Sequence, residues 1–281
     1  MKKISELKKE ILRVNDIKET LKVLEKISAA NLHNLKILTQ KMREYDRALK
    51  EILAHFEEFT HPLFKRPKTK KKLKVLIGQE KGLTGGLSQR TLKFLQKNLK
   101  ENEEILILGE KTKKLAEEIN IKPTFFFSGM KNIPKKEEVE KLKNFLISQF
   151  LAKKYQEILI VYPFFKSFGA KIPKETTFLP IDKEKFKKEL KEKFQSFPSY
   201  PIYEPSKKKV IDYLVKKYLE TSLYQKILEG KLSELSSRAL FMEQASERAE
   251  TLVKILSRQY FRRKREKVTK DITDLYSHRK L

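Results

Sequence analysis

Apolar residues recur at helical spacing over the first part of the chain, and neither Gly nor Pro occurs between Ile4 and Thr60. The apolar positions are Ile4, Leu7, Ile11, Val14, Ile17, Leu21 and Leu24, followed by Leu35, Leu38, Met42, Tyr45, Leu49, Ile52 and Phe56. The later positions alternate steps of three and four residues, which is typical of a coiled-coil seam. The irregular stretch from Ile27 to Leu32 indicates a local relaxation of the supercoil. His61-Pro62 is expected to end this helix, which would be roughly 85 Å long.

The last part of the chain predicts a second long helix. Pro205 is the last proline, and Ser206 is a suitable N-cap for a helix that runs to about Ser277. Gly230 is expected to be the weak point of this helix, at a cost of about 1 kcal/mol relative to Ala. Apolar or small residues recur at Leu228, Leu232, Leu235, Ala239, Met242, Ala245, Ala249, Leu252, Leu256 and Tyr260.

The middle of the chain has a different pattern, in which short β-like runs alternate with helical segments. The predicted strands are Lys74–Gly78, Ile105–Gly109, Thr124–Phe127, Ile158–Tyr162 and Thr177–Pro180, and the predicted helices are Gln89–Leu99, Lys111–Ile119 and Glu137–Lys154. Strands that alternate with helices indicate an α/β domain with a largely parallel sheet.

These segments together predict an α/β fold with an inserted domain. A Rossmann-like α/β domain, residues 62–205, is inserted between an N-terminal helix, residues 1–61, and a C-terminal helix, residues 206–281. The two helices are expected to pair with each other as a long antiparallel two-helix coiled coil. In that pairing Val14 and Leu24 would face the stretch from Ala239 to Leu256.

Composition adds a strong positive charge to this architecture. Among 281 residues, 64 Lys and Arg oppose 37 Asp and Glu, which gives a formal net charge of +27. Such a chain attracts polyanions: nucleic acid, anionic lipid or an acidic protein partner. The chain has no cysteine, which excludes disulfides, thiolate metal sites and cysteine nucleophiles. The longest apolar run, Ile158 to Phe165, is far short of the roughly 20 residues of a membrane helix, so we expect a soluble or peripheral protein.

The stretch VLIGQEKGLTGGLSQR, Val75 to Arg90, has the order strand, glycine turn, helix, which also occurs in nucleotide-binding loops. A P-loop requires Lys after its last glycine, but Leu87 and Ser88 follow Gly86. The dinucleotide fingerprint also fails, because the glycines stand at positions 82, 85 and 86. We therefore interpret the glycines as a tight structural turn. The four histidines have no metal-ligand spacing, and no catalytic, cofactor or metal residue is predicted.

A basic cluster lies near the end of the C-terminal helix. Its members are Arg258, Arg262, Arg263, Lys264, Arg265 and Lys267. Most such runs are simply solvated helix faces. Here the run is interrupted by Gln259, Tyr260 and Phe261 and adjoins the coiled-coil seam. A nucleic-acid-binding surface is therefore an alternative interpretation, although no nucleic-acid recognition motif supports it.

Several motifs, taken in order along the chain, resemble those of one known family. The glycine turn is similar to a G-L-C-G-G-[LF]-N segment, with Thr84 in place of Cys and Ser88 in place of Asn. The segments YEPSKKKVIDYLVKKYLETSLYQKILEGKLSELSSRALFM, from Tyr203, and YFRRKREKVTKDITDL, from Tyr260, resemble two further motifs. HFEEFTHPLF resembles the exit from the first helix, and ILRVNDIKETLKVLEKISAANL resembles that helix itself. The whole chain thus resembles the gamma subunit of the F-type ATP synthase, the central rotor shaft.

The resemblance implies that the coiled coil penetrates a head of alternating alpha and beta subunits and that its rotation changes the nucleotide affinity of each beta subunit. The residues that it implies as head contacts are Ile27, Asn31, Gly85, Gly86, Arg258, Arg262, Lys264, Arg265, Thr269 and Asp271. Tyr203 and Glu204 are implied to meet the membrane c-ring alongside the epsilon subunit. Nucleotide would bind on other subunits. The chain would then be a non-catalytic subunit without a cofactor, peripheral on the cytoplasmic face of the inner membrane.

The chain also departs from the family pattern, which leaves the fine contacts with the head open. The departures are Arg13, Leu24, Asn31, Phe261, Lys264 and Arg265. Two other hypotheses remain from the residues alone. A nucleic-acid-binding coiled coil explains the charge but not the inserted domain, and a nucleotide-using enzyme rests only on the glycine turn. Co-purification with alpha and beta subunits would separate the rotor from both.

Overall fold

The computed structural model of the chain describes residues 3–56, 59–182, 184, 186 and 203–278. Its two longest elements are helix α1, Ile4–His55, and helix α5, Lys207–His278. The backbone N–H of Lys209 donates to the Ser206 side-chain oxygen at 3.4 Å, which confirms the predicted N-cap. Helix α1 ends before the predicted Thr60. The Phe56 ring packs near Tyr203, with ring centroids 5.5 Å apart, and leaving the helix allows this contact.

The chain divides into two compact units, and both long helices contribute residues to each of them. Unit 1 consists of Met1–Ala29 and Arg238–Leu281, and unit 2 consists of Ala30–Ser237. Within the described part of the chain, no helix has an apolar stretch long enough to cross a membrane.

Unit 2 contains a five-stranded sheet in the order β3-β2-β1-β4-β5. The strands are β1 Lys72–Ile77, β2 Glu103–Leu108, β3 Phe125–Phe127, β4 Glu157–Phe165 and β5 Lys171–Leu179. The intervening helices are a 3-10 turn at Pro62–Phe64, α2 Leu87–Lys97, α3 Glu110–Glu118 and α4 Lys136–Leu151. Strand β1 pairs in parallel with β2 and β4, β2 pairs in parallel with β3, and β5 runs antiparallel to β4. The predicted largely parallel α/β sheet is confirmed.

The two faces of this sheet are covered by different helices, because successive residues of a strand point to opposite sides. Val75 belongs to a core with Leu53 of α1 and Leu223 of α5. The next residue, Leu76, belongs to a second core with Leu92 of α2. Burying one such side chain fully stabilises the fold by about 1.5–3 kcal/mol. Parts of both long helices are therefore integral to the core of the α/β unit.

Helix α5 passes very close to the sheet at Gly230. A Cβ atom added there would lie 2.7 Å from Cγ2 of Ile77, at the end of β1. The sequence suggested that Gly230 is only a weak point of the helix, and that interpretation is incomplete. The missing side chain allows the helix to approach the strand, so the helical cost of glycine is offset by packing.

The two helices of unit 1 pair antiparallel. One groove is lined by Lys3 and the first turn of α1 together with residues 260–271 of α5, and Glu250 of α5 lies near Lys18 and Lys22 of α1. Residue numbers therefore rise along one helix as they fall along the other. The predicted antiparallel pairing is confirmed.

The seam between these helices differs in detail from the predicted one. The described positions of unit 1 that are not exposed are Ile4, Leu7, Glu10, Ile11, Val14, Asn15, Lys18, Leu21, Glu25 and Ser28 of α1, and Arg238, Ala239, Leu240, Phe241, Met242, Ala245, Ser246, Ala249, Val253, Leu256, Ser257, Tyr260 and Arg263 of α5. Each set contains a series with alternating steps of three and four residues, such as Leu7, Ile11, Val14 and Lys18 in α1. The predicted relaxation near Ile27 stays a prediction. Val14 lies in the seam as expected, whereas Ile17 and Leu24 are 56% and 36% exposed. Polar residues such as Lys18 and Glu25 occupy seam positions, so the apolar pattern of the sequence did not identify the seam.

Candidate functional site

The glycine turn between β1 and α2 has a left-handed backbone. Gly85 and Gly86 have φ values of 57° and 80°, and Leu83 has a φ of 63°. Gly86 is the residue that precedes α2. Positive φ is the conformation in which glycine carries no steric penalty. The two glycines thus allow the chain to reverse from strand to helix within a few residues.

The polar side chains around this turn bond to one another. The side-chain oxygen of Gln79 accepts hydrogen bonds from the hydroxyls of Thr84, at 2.7 Å, and Ser88, at 2.6 Å. The Gln79 backbone N–H donates to the Thr112 hydroxyl at 2.7 Å. All four residues are buried. Thr84 and Ser88 replace the Cys and Asn of the family pattern, and here they anchor the turn to the end of β1 and to α3.

Glu80 anchors the opposite side of the same turn. One of its carboxylate oxygens accepts from the Glu110 backbone N–H at 3.2 Å, and the other accepts from Met130 N–H at 3.3 Å. Leu83 at the tip is 57% exposed. The turn is therefore held from both sides and presents an apolar side chain to solvent.

Sequence reasoning missed the close packing at Gly109, beside the turn. Gly109, which follows β2, has a φ of 102°, and a Cβ there would lie 2.7 Å from the backbone carbonyl of Gln79. Its place at the end of a predicted strand was the only signal available. The close approach of Gly109 to Gln79, which is 30 residues earlier in the sequence, becomes visible only in the structure.

The basic cluster near the end of α5 is solvent-exposed in unit 1 except for Arg263, which is half-buried. Arg262 forms an ion pair with Glu266 at 2.9 Å, and Arg263 lies 3.5 Å from the same carboxylate. The predicted head contacts on this stretch are all exposed: Arg258, Arg262, Lys264, Arg265, Thr269 and Asp271. The groove formed with the start of α1 adds Lys3 and Lys8 to the cluster. Two negative side chains, Glu266 and Asp271, and several positive ones thus share this surface.

The remaining predicted contact residues lie elsewhere. Ile27, in unit 1, is 53% exposed, while Asn31, Gly85 and Gly86 belong to unit 2. The structure therefore does not gather all predicted head contacts into one compact unit.

Tyr203 and Glu204 lie just before helix α5, in unit 2. The Tyr203 ring is half-buried against Phe56, and Glu204 is exposed. Nearby, His61 lies 3.4 Å from Asp212. Lys216 and, to a lesser degree, His61 hold the pKa of the Asp212 carboxyl below its ordinary value. This corner joins the exit of α1 to the beginning of α5.

Within the described ranges, no group of three or more His, Asp or Glu residues is arranged to hold a metal ion. The polar side chains of the turn are occupied by hydrogen bonds within it, so the turn is a packing feature. The role of the basic cluster as a contact surface stays a prediction.

Known proteins provide an independent comparison. A sequence model of the ATP synthase family matches residues 3–278. The ATP synthase gamma chain of Alkaliphilus metalliredigens strain QYMF is 25% identical over 280 residues, covering 98% of this chain and 96% of the relative. The gamma chain of Buchnera aphidicola subsp. Baizongia pistaciae is 26% identical over 285 residues, with 98% and 96% coverage.

Solved structures show the same fold. The rotor of the Euglena gracilis mitochondrial ATP synthase is similar with a TM-score of 0.67 and 15% identity, covering 94% of this chain and 98% of that chain. The central stalk and c-ring structure of the Tetrahymena thermophila enzyme gives a TM-score of 0.59 and 19% identity, covering 81% and 99%. These findings do not support the nucleic-acid-binding alternative. The chain belongs to the gamma-chain family of F-type ATP synthases and is a rotor subunit of the central stalk.

Proposed function

We propose that this chain is the non-catalytic shaft of its ATP synthase and that the unit 1 helix pair turns inside a head of alternating alpha and beta subunits. The exposed apolar surface of unit 1 is the observation that carries this proposal. Its large exposed side chains are Leu12, Ile17, Val23, Leu24, Ile27, Leu252, Ile255, Phe261, Val268, Ile272, Leu275 and Tyr276. Twelve large apolar side chains are thus exposed on one helix pair, whereas single scattered ones are the normal case for a protein surface. A sleeve of partner subunits would cover it.

The basic cluster Arg258–Lys267 gives this contact its charge. In the assembly it would pass each beta subunit in turn and meet acidic loops there. An exposed ion pair contributes at most about 1 kcal/mol, so several pairs that break and re-form guide rotation without locking it. A single strong pair would stall the shaft. The excess of +27 then corresponds to an acidic protein partner.

In unit 2, we assign Tyr203 and Glu204 to the contact with the membrane c-ring and the epsilon subunit. Glu204 is exposed and Tyr203 is packed against Phe56, which holds the segment in place. The chain would thereby be peripheral to the cytoplasmic face of the inner membrane. Nucleotide would bind on the head subunits, and the glycine turn would position the α/β domain near them.

Charge reversal at Arg262, Lys264 and Arg265 tests this proposal. The triple Glu variant should weaken assembly or lower the number of protons pumped per ATP hydrolysed, and the effect should shrink at high salt. ATPase rate and pumping are measured together in vesicles reconstituted with the alpha, beta, epsilon and c subunits. Reversal of three exposed lysines around α2, Lys93, Lys97 and Lys100, is the matched control. Assembly and pumping per ATP that both equal those of the parent chain would refute the role of the cluster.

A further inference from the structure

A buried ion pair joins the two long helices inside unit 2. Nε of Arg43, on α1, lies 2.5 Å from Oε1 of Glu229, on α5, across 186 residues of sequence. The Glu229 side chain is fully buried, whereas 41% of the Arg43 side chain is exposed. The hydrogen bond to Glu229 raises the pKa of Arg43 above its ordinary value. The Arg43 guanidinium is therefore held charged beside a side chain that has no access to solvent.

Further charged and aromatic groups surround this pair. The Arg43 guanidinium lies 5.5 Å from the centre of the Phe164 ring, on β4. One turn further along α1, Asp46 is buried and lies 3.1 Å from Lys50. Burial and, next, the charge of Glu229 raise the pKa of Tyr162 above its ordinary value. Lys50 and Arg43 lower that pKa, and Asp46 raises it. The pair is thus part of a cluster that connects α1, α5 and the sheet.

We propose that Arg43 and Glu229 are positioning residues that fix the rotational register of α1 on α5. An apolar contact tolerates sliding, because its energy depends on area and has no direction. A buried charge pair does not, because a shift of one residue leaves the Glu229 carboxylate without its cation. Polar groups at helix interfaces are known to specify register at some cost in stability. The neighbouring Leu35, Leu228, Leu232 and Leu235 supply the apolar contact, and the ion pair supplies its alignment.

Because Glu229 is buried and Arg43 is partly exposed, removing Arg43 should destabilise the fold more than removing Glu229. Replacing Arg43 by Met leaves a carboxylate that cannot reach water, and the unfolding equilibrium constant should rise about a hundredfold. Glu229→Met leaves a guanidinium that is already partly solvated, so we expect a rise of about tenfold or less. The double variant R43M/E229M has neither charge, and its stability should return to within about tenfold of the parent.

The expected effect of these variants on proton pumping rests on the proposed rotor function. Although R43M/E229M regains stability, it should pump fewer than about half as many protons per ATP in the reconstituted enzyme, because the helices are no longer held in one register. A merely structural pair would recover coupling together with stability. The matched control is R47M/E51M, which removes an exposed ion pair of 2.9 Å one turn further along the same helix. R47M/E51M should change neither the stability of the chain nor the number of protons pumped per ATP.

Two results would overturn this inference: equal destabilisation by R43M and E229M, or normal coupling by the stable double variant. If R43M does not fold, the double variant alone carries the test. If the parent chain itself does not couple hydrolysis to pumping, the proposed function fails. The unfolding asymmetry, measured on the full-length chain by denaturant titration, then still decides the register assignment.

Discussion

Helix α5 has opposite surroundings in its two halves. In unit 2, every residue from Thr221 to Ser237 except Tyr224 and Gln225 is buried, including the polar Ser233 and Ser236. In unit 1, every residue from Lys264 to Ser277 is exposed, including Ile272 and Leu275. The apolar residues of the second half are therefore more exposed than the serines of the first. Burial along one continuous helix follows its neighbours and does not follow its own hydrophobicity.

The two halves of α5 are stabilised by different contacts. In unit 2 the helix is part of a closed core, and Ser233 reaches the carbonyl oxygen of Pro163 at 2.7 Å to satisfy its buried hydroxyl. In unit 1 most described residues of both helices are exposed, because each helix has few neighbours within the unit. Unit 2 should therefore be stabilised by its own contacts, whereas the surface of unit 1 is suited to partner subunits.

The largest expected effect comes from leucines in the two halves of α5. Leu223→Ala removes a side chain with 0% exposure and should cost about 2–5 kcal/mol. Leu252→Ala removes one that is 42% exposed and should cost about 0.5 kcal/mol or less in the isolated chain. Urea unfolding of both variants measures the difference. Equal costs would contradict the contrast between the two units.

Two glycines with positive φ sharpen the contrast within unit 2. Gly109→Ala places a Cβ against the Gln79 backbone and should cost about 3 kcal/mol. Gly129 has a φ of 86° with nothing within 4 Å of its added Cβ, so Gly129→Ala should cost only about 1 kcal/mol. Thermal unfolding distinguishes the two. A similar cost for both would mean that backbone strain, without the crowding at Gly109, explains the requirement.

The glycine turn should respond as a folding element. Gly85→Val and Gly86→Val should each destabilise the chain by about 1–2 kcal/mol, because both residues have positive φ. Calorimetric titration of ATP into the parent chain should give no saturable signal at millimolar concentration. Specific micromolar binding abolished by either substitution would reverse this interpretation.

The seam of unit 1 predicts a smaller effect. Leu21 is a seam position and Leu24 is not, although both follow the apolar pattern of α1. Leu21→Ala should therefore cost about 1 kcal/mol more than Leu24→Ala in the isolated chain. Circular dichroism during urea unfolding follows the loss of helix. The order would reverse if Leu24 faced α5, as the sequence pattern suggested.

The smallest expected effect is a change of stability with pH at Glu104. Glu104 accepts a hydrogen bond from the Tyr155 hydroxyl at 2.6 Å, and this bond, followed by Lys71, holds its pKa below the ordinary value. A lowered pKa stabilises the fold above the unfolded value of about 4.3, and this contribution is lost as the pH falls through the folded pKa. Tyr155→Phe should cost about 1 kcal/mol or less at neutral pH. The difference from the parent should shrink at low pH, and a constant difference would exclude this linkage.

The extent of the secondary structure could be predicted from local chemistry. The absence of Gly and Pro over α1, the N-cap at Ser206 and the apolar strand runs all act within a few residues. They gave the two helices and the five strands to within several residues. Strand β5 was predicted too short, because its first half, Lys171–Thr176, alternates weakly and is held by pairing with β4.

The seam, the close approaches and the buried charges were decided by tertiary structure. Lys18 and Glu25 occupy seam positions only because of what α5 presents to them, and Gly230 has its role only because Ile77 lies opposite. The pairing of Arg43 with Glu229 joins residues 186 apart. Helical period and propensity depend on neighbours along the chain, so the sequence by itself determined the elements. Burial and charge pairing depend on neighbours in space, which only the folded chain brings together.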